Sequence, residues 1–207
     1  MKNEDPRTIR LAEYTAPAFL IDEVALDVSL DPKATRVHSK LTVRRNPDSK
    51  NADAPLVLDG EKLTLHEVKL NGETVSPNAY QVDDAQLTLF DAPEEPFTLE
   101  IVTSCAPEEN TALTGLYLSS DIYCTQCEAQ GFRRITYFPD RPDVMAVYRT
   151  RIEANKADAP VLLSNGNLEA SGDLDGGRHF AEWHDPSPSP PISSLWWAAS
   201  SAMWKTP

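Results

Sequence analysis

The sequence predicts an all-β protein, a twisted, saddle-like β-sandwich built from short strands. Apolar and polar residues alternate with a period of two in many segments, which is typical of strands with one buried face. The 17 prolines outnumber the 8 glycines, and this ratio favours short elements joined by stiff turns. No window of twelve or more residues sustains a helical period of 3.6.

The alternating segments follow one another along the chain and are separated by turn residues. The first runs from Val24 to Leu30 and ends at Asp31-Pro32. Asn71-Gly72 predicts a tight hairpin, because both residues tolerate a positive φ. A strand at 180–183 follows the Gly176-Gly177 turn, and we expect it to pair with the strand before it. The predicted strands lie at residues 24–30, 37–43, 56–58, 63–70, 87–89, 97–101, 147–152, 161–163 and 180–183.

No internal repeat or flexible linker divides the chain, so the sequence predicts one β-domain at residues 14–186. An N-terminal extension at 1–13 precedes it, and an aberrant tail at 187–207 follows it. Three of the four tryptophans lie in the last twelve residues, among serines and prolines, where the alternating pattern is lost.

Charge and composition exclude several classes of partner. The formal net charge is −13, which argues against nucleic acid and anionic membrane surfaces because both would be repelled. No apolar segment approaches the length of a membrane span, and the N-terminus lacks the apolar region of a secretory signal. Three cysteines fit a reducing compartment better than a disulfide framework. We therefore expect a cytoplasmic protein.

The pair Cys124-Thr-Gln-Cys127 is half of a zinc-ribbon motif, but no second pair completes it. As a redox motif it lacks a helix N-terminus that would lower a thiolate pKa. The four histidines show no metal-ligand spacing, and we expect them at the surface or rim of the domain. The sequence thus predicts a structural role for the cysteines, no metal site, and no catalytic residue.

Glu128 follows this pair directly and precedes Ala129-Gln130-Gly131, a predicted tight turn. A carboxylate on a rigid turn suits the capture of a ligand ammonium group. Alternatively, Glu128 pairs with Arg133 or Arg134 and only fixes the loop. The residues by themselves favour this second interpretation.

The segment from Thr111 to Val144, TALTGLYLSSDIYCTQCEAQGFRRITYFPDRPDV, closely resembles a signature of bacterial alanyl aminopeptidases (aminopeptidase N), which are zinc-dependent gluzincin aminopeptidases. Two flanking segments agree with it, YTAPAFLIDEVALDVSLDP and LLSNGNLEASGDLDGGRHFAEWHDP. The resemblance covers about Tyr14 to Pro186.

The resemblance implies that this chain is the N-terminal β-domain of such an enzyme. The catalytic domain, with its HExxH-type zinc site, would follow it and is absent from the sequence. In the family the β-domain lends the active site a Glu that binds the free α-amino group of the substrate, and that position matches Glu128. The position that lines the pocket for the first side chain matches Gln126. The family motif usually has Glu where this chain has Gln130. With the resemblance, substrate binding becomes the favoured interpretation of Glu128.

The resemblance also bears on the tail. Family members continue past Asp185-Pro186 with an apolar strand, whereas this chain continues with Ser, Pro and Trp. When the codons are read one base earlier, the tail can read FPKPSYFFALVGGQFGDVEDT, which resembles the expected strand. The sequence therefore predicts a change of reading frame near Pro186 and a truncated product.

The predicted function is that of an N-terminal fragment of a zinc aminopeptidase. It would bind peptide N-termini, would normally pack on its own catalytic domain, and would be inactive alone because the zinc ligands are absent. One alternative is a free-standing, non-catalytic β-sandwich binding module, which the downstream DNA would distinguish. Another is a product that does not fold stably, which cooperative thermal unfolding would contradict.

Overall fold

The computed structural model describes residues 14–51, 53–194 and 196–199, so the predicted extension (1–13) and the end of the predicted tail (200–207) lie outside the described residues. Regular structure in the described part is almost entirely β-strand, which confirms the predicted all-β class. No helix there is long and apolar enough to cross a membrane. The strands are β1 (Phe19–Ser29), β2 (Thr35–Arg45), β3 (Leu56–Asp59), β4 (Thr64–Leu70), β5 (Glu73–Thr74), β6 (Tyr80–Val82), β7 (Gln86–Leu89), β8 (Phe97–Cys105), β9 (Gly115–Ser119), β10 (Ile122–Gln126), β11 (Ala146–Asn155), β12 (Val161–Ser164), β13 (Asn167–Asp173), β14 (Arg178–Ser189) and β15 (Trp196–Ala199). Short 3-10 helices span Pro107–Glu109, Phe132–Arg134, Asp175–Gly177 and Pro191–Ser193.

The largest sheet contains eight strands in the order β13-β14-β11-β1-β2-β8-β4-β5. β1 and β11 run parallel, and the other neighbouring strands are antiparallel. One face of the sheet is buried in regular alternation. In β2, Val37, Leu41 and Val43 have no exposed surface, whereas the residues on the opposite face of the strand are wholly or partly exposed. This one-sided burial explains why a period of two is visible in the sequence.

Two smaller sheets complete the domain, one with the order β3-β7-β6 and one with the order β12-β15-β10-β9. Their buried side chains join the apolar face of the large sheet in a single hydrophobic cluster. Leu58 and Leu87 belong to the three-stranded sheet, and Leu116 and Tyr123 to the four-stranded sheet. The fold is therefore a sandwich in which one large sheet shares its core with two small ones.

The predicted hairpin at Asn71-Gly72 is confirmed. Leu70 pairs with Glu73 across the turn between β4 and β5, and φ is 51° at Asn71 and 84° at Gly72. Two successive residues with positive φ suit a two-residue turn that follows the twist of the strands. The predicted pairing of the strand at 180–183 with the predicted strand before it, 161–163, is wrong. β12 pairs with β15, whereas β14 pairs with β11 and with β13, a strand that the sequence did not predict.

The four-stranded sheet holds three strands that the sequence did not predict, β9, β10 and β15. β15 lies between β12 and β10 and runs antiparallel to both. The Thr125 hydroxyl in β10 accepts a hydrogen bond from the Trp196 backbone N–H (2.7 Å) and donates one to the Ser194 carbonyl (3.3 Å). A segment of the predicted tail is thus a central strand of this sheet, and Trp196 is buried.

The predicted domain boundary at Pro186 falls within β14, which continues to Ser189. A change of reading frame near this residue stays a prediction. The DNA sequence tests it, because codons that cannot encode the family strand in the other frame would exclude it.

Leu58 and its neighbour Val57 provide a test of the shared core. Leu58 is fully buried, whereas 37% of Val57 is exposed. We expect Leu58→Ala to lower the free energy of unfolding by about 2–5 kcal/mol, because it leaves a cavity. Val57→Ala should lower it by less than about 1 kcal/mol. Urea unfolding measures both, and equal losses would contradict the assigned faces of β3.

Thr125 and Thr103 provide a test of the attachment of β15. Both are buried, but the Thr103 hydroxyl has no hydrogen-bond partner. We expect Thr125→Val to destabilise the protein by about 1–3 kcal/mol, because it leaves the Trp196 N–H buried and unpaired. Thr103→Val should be neutral or stabilising, because it removes an unpaired hydroxyl.

Hydrogen exchange and urea unfolding distinguish the two valine variants. Thr125→Val should speed amide exchange in β10 and β15, and Thr103→Val should leave exchange there unchanged. If the two variants behave alike, the Thr125 hydroxyl does not fix β15.

Candidate functional site

The predicted recognition residues lie where β10 ends and a tight turn begins. Gln126 is the last residue of β10 and is exposed, Cys127 is fully buried, and Glu128 is exposed. The Gly131 N–H donates to the Cys127 carbonyl (3.0 Å) and closes the turn. The peptide bond between Glu128 and Ala129 is cis. Burial of Cys127 thus anchors the turn in the core and leaves the side chains on either side of it at the surface.

Gln126 and Glu128 are in direct contact. The Glu128 backbone N–H donates a hydrogen bond to Gln126 Oε1 (3.2 Å). The structure therefore brings the two predicted site residues together on one surface. Gln126 also has a role that the sequence did not predict, since its amide holds the backbone of the residue that carries the carboxylate.

Two glycines allow the turn to pack closely on its neighbours. A Cβ atom added at Gly131 would lie 2.3 Å from the Gln126 carbonyl oxygen and 2.9 Å from Cys127 Cα. Gly115, at the start of β9, has a φ of +75°, and a Cβ atom there would lie 2.6 Å from Arg134 Cβ. Real Cβ atoms do not approach other atoms this closely, so glycine is required at both positions.

Arg133 fixes the far side of the turn by binding carboxylates. Its Nε (3.0 Å) and its backbone N–H (3.1 Å) both donate to Asp140 Oδ2, and its terminal nitrogen lies 3.6 Å from Asp59 Oδ2. The Asp140 N–H in turn donates to Asp59 Oδ2 (3.1 Å). Burial raises the pKa of the Asp140 carboxyl above its ordinary value, and the hydrogen bonds from Arg133 oppose that rise.

These contacts bear on the alternative that Glu128 pairs with Arg133 or Arg134. Arg133 is occupied by Asp140 and Asp59, and no ion pair joins Glu128 to any basic residue that the structure describes. Glu128 does not fix the loop through an arginine. Its carboxylate is therefore available to a ligand.

The cysteines are unsuited to thiolate chemistry. All three thiols are free. Burial raises the pKa of Cys127 to about 12 and that of Cys105 to about 11, and it also raises the pKa of Cys124. A metal ligand or redox nucleophile must be deprotonated, and these shifts favour the protonated thiol. Within residues 14–51, 53–194 and 196–199, no three His, Cys, Asp or Glu side chains form a group that could hold a metal ion.

The prediction that all four histidines lie at the surface or rim is wrong for His179. This residue is 9% exposed on the buried face of β14, and its Nε2 lies 2.7 Å from the Ala159 carbonyl oxygen. His179 therefore donates to a buried carbonyl and is part of the core. His184, five residues along the strand, instead contacts Glu169 at the partly exposed face (3.0 Å).

The sequence pattern does not reveal the residues that support the turn. Asp59 lies at the end of β3, and Asp140 lies in the Asp-Arg-Pro-Asp segment of the family signature. Their separation of about eighty positions in the chain hides their contact. The available signal was a carboxylate at the end of a mainly apolar run, Ile135 to Asp140, because a carboxylate that such a run buries requires a charged partner.

Known proteins share the sequence pattern and the fold of this chain. The sequence profile of the Peptidase M1 N-terminal domain family matches residues 14–194. Aminopeptidase N of Caulobacter vibrioides is 49% identical over 190 residues, which are 92% of this chain and 21% of that protein. Aminopeptidase N of Escherichia coli is 44% identical over 187 residues, 90% of this chain and 21% of that protein. The chain thus spans about a fifth of the length of these curated relatives.

Solved structures show the same fold. Aminopeptidase A of Legionella pneumophila, in complex with aspartic acid, superposes with a TM-score of 0.87 at 34% identity and covers 93% of this chain and 22% of that one. A zinc metallopeptidase of Deinococcus radiodurans, bound to a Tyr-Ser-Ala substrate, superposes with a TM-score of 0.74 at 16% identity, covering 88% and 42%. The family profile matches residues 14–194, and the fold matches that of the Legionella pneumophila enzyme. The chain therefore belongs to the Peptidase M1 N-terminal domain family.

Proposed function

We propose that this domain binds the free α-amino group of a peptide through Glu128 and contacts the first side chain through Gln126, as part of a zinc-dependent aminopeptidase. The observation that carries the proposal is an exposed carboxylate without an ion-pair partner among the described residues, on a turn fixed by the core. Family membership and the activity named for the relatives support it.

Recognition of a peptide N-terminus requires a fixed negative charge. An enzyme that removes N-terminal residues must distinguish an ammonium group from an internal amide, and a carboxylate does so through charge-assisted hydrogen bonds. Little entropy is lost on binding if the carboxylate is already held in place. Gln126, Gly131 and the Arg133 network hold the turn in this way. Glu128 would thus position the substrate and would not transfer a proton.

The described residues do not fit a zinc site. His179 is hydrogen-bonded to a carbonyl in the core, and the raised pKa values of Cys105 and Cys127 favour the protonated thiols. No group of ligands converges in this part of the chain. A zinc ion would therefore be bound by another domain, on which this one would pack. The three free thiols are consistent with the reducing cytoplasm, which is the compartment that we propose.

A polypeptide of these 207 residues should not hydrolyse peptides. We expect no turnover when the purified chain is mixed with zinc and an alanyl chromogenic substrate, because no described residues can hold the metal. Aminopeptidase N from Caulobacter vibrioides serves as the positive control. Turnover near the usual rate of enzymes, about 1–1,000 per second, would contradict the proposal.

Glu128 can be tested in a chimera in which residues 14–186 replace the matching segment of the Caulobacter vibrioides enzyme. We expect Glu128→Gln to lower kcat/KM about ten- to a hundredfold, because losing a hydrogen bond to a charged group costs about 1.5–3 kcal/mol. Glu94→Gln removes an exposed carboxylate elsewhere and should leave kcat/KM unchanged. Steady-state kinetics with an alanyl substrate measure both, and an unchanged kcat/KM for Glu128→Gln would refute the assigned role.

A further inference from the structure

The basic side chains of the described residues fall into two groups. Most form ion pairs or side-chain hydrogen bonds, as expected in a chain with 32 acidic and 19 basic residues. Five form neither within the described part of the chain, namely Lys33, Arg36, Lys50, Lys62 and Arg134. Because carboxylates outnumber cations, most basic side chains in the described part of the chain have a partner.

Three of the five unpaired cations line one cavity. Lys33 comes from the β1–β2 turn, Lys62 from the β3–β4 loop and Arg134 from the 3-10 helix after the Glu128 turn. A fourth, Arg36, is directly opposite Ser104 in the pairing of β2 with β8, and Ser104 also lines the cavity. Directly opposite residues of antiparallel strands share a face. Segments distant in the sequence thus bring their free positive charges to one place.

The cavity has a volume of about 500 Å³ and an opening to solvent. Its wall contains one carboxylate, Glu109, against the three cations. The Thr64 hydroxyl adds a hydrogen-bond donor, whereas the Ser104 hydroxyl lies 2.8 Å from His66 Nε2 and is already hydrogen-bonded. Like charges that line a common cavity repel one another, and a bound anion removes this repulsion. Guanidinium, ammonium and hydroxyl groups are the donors that proteins use for carboxylate and phosphate oxygens.

We propose that this cavity, which we call the cationic cavity, binds a small multivalent oxyanion with two or more carboxylate or phosphate groups. Multivalency follows from the wall's excess of two positive charges, three cations against Glu109, because a single carboxylate would neutralise only one of them. The volume accommodates a molecule of the size of citrate or pyrophosphate. Glu128 does not line this cavity, and its carboxylate attracts ligands of the opposite charge.

Isothermal titration calorimetry of the 207-residue chain tests the proposal, with citrate, pyrophosphate and acetate as probes at constant ionic strength. We expect citrate or pyrophosphate to bind at least tenfold more tightly than acetate. The double variant Lys62→Gln/Arg134→Gln should weaken that binding at least tenfold. The matched control, Lys50→Gln/Lys69→Gln, removes the same charge elsewhere and should change it less than twofold.

Other outcomes would overturn the proposal. Equal weakening in both double variants would show that the anions respond only to overall charge. Binding of a hexaglutamate peptide without binding of citrate or pyrophosphate would show that the cavity receives an acidic protein segment instead. If the double variant unfolds, Lys33→Gln in the exposed β1–β2 turn replaces it, and unchanged affinity for both small anions in that variant would exclude the site. None of these measurements involves peptide cleavage, so their failure leaves the role of Glu128 unaffected.

Discussion

The eight-stranded sheet has one apolar face, and burial of that face is the constraint on which the rest of the structure depends. Fully buried residues such as Val28, Leu41 and Ile101 would otherwise meet water, and burying each aliphatic side chain contributes about 1.5–3 kcal/mol. The two small sheets supply the cover, since their apolar residues share the same cluster. Each small sheet also positions one feature of the candidate site. In the three-stranded sheet, β3 ends at Asp59, and in the four-stranded sheet, β10 leads into the Glu128 turn.

The position of Glu128 follows from this packing. β10 places Tyr123 and Thr125 in the interior, so the next buried residue in the alternation is Cys127 and the exposed residues are Gln126 and Glu128. A shift of one residue would turn the carboxylate inwards, where an unpaired charge is costly. Core residues, which never meet a ligand, thus decide that this carboxylate reaches the surface.

The long strands of the large sheet could be predicted from the sequence because they bury one face only. β1, β2, β8 and β11 all show the alternation that results. β9, β10 and β15 are only four or five residues long, and β15 becomes a strand by inserting between two others that are distant in the sequence. Pairing of this kind depends on tertiary contacts, which no local pattern reports. His179 was assigned to the surface for a related reason, since its partner, the Ala159 carbonyl, lies on another segment.

The candidate site was predicted in part for similar reasons. Gln126 and Glu128 were found through the family signature, but the sequence could not show which arginine, if either, binds Glu128. The answer comes from the 3-10 helix at Phe132–Arg134, in which successive side chains point about 120° apart. Phe132 enters the core with its ring centroid 5.0 Å from that of Phe138, Arg133 binds the buried Asp140, and Arg134 lines the cationic cavity. Within one helical turn, one arginine thus forms a structural ion pair and the adjacent arginine has no ion-pair partner among the described residues. Neither of them neutralises Glu128.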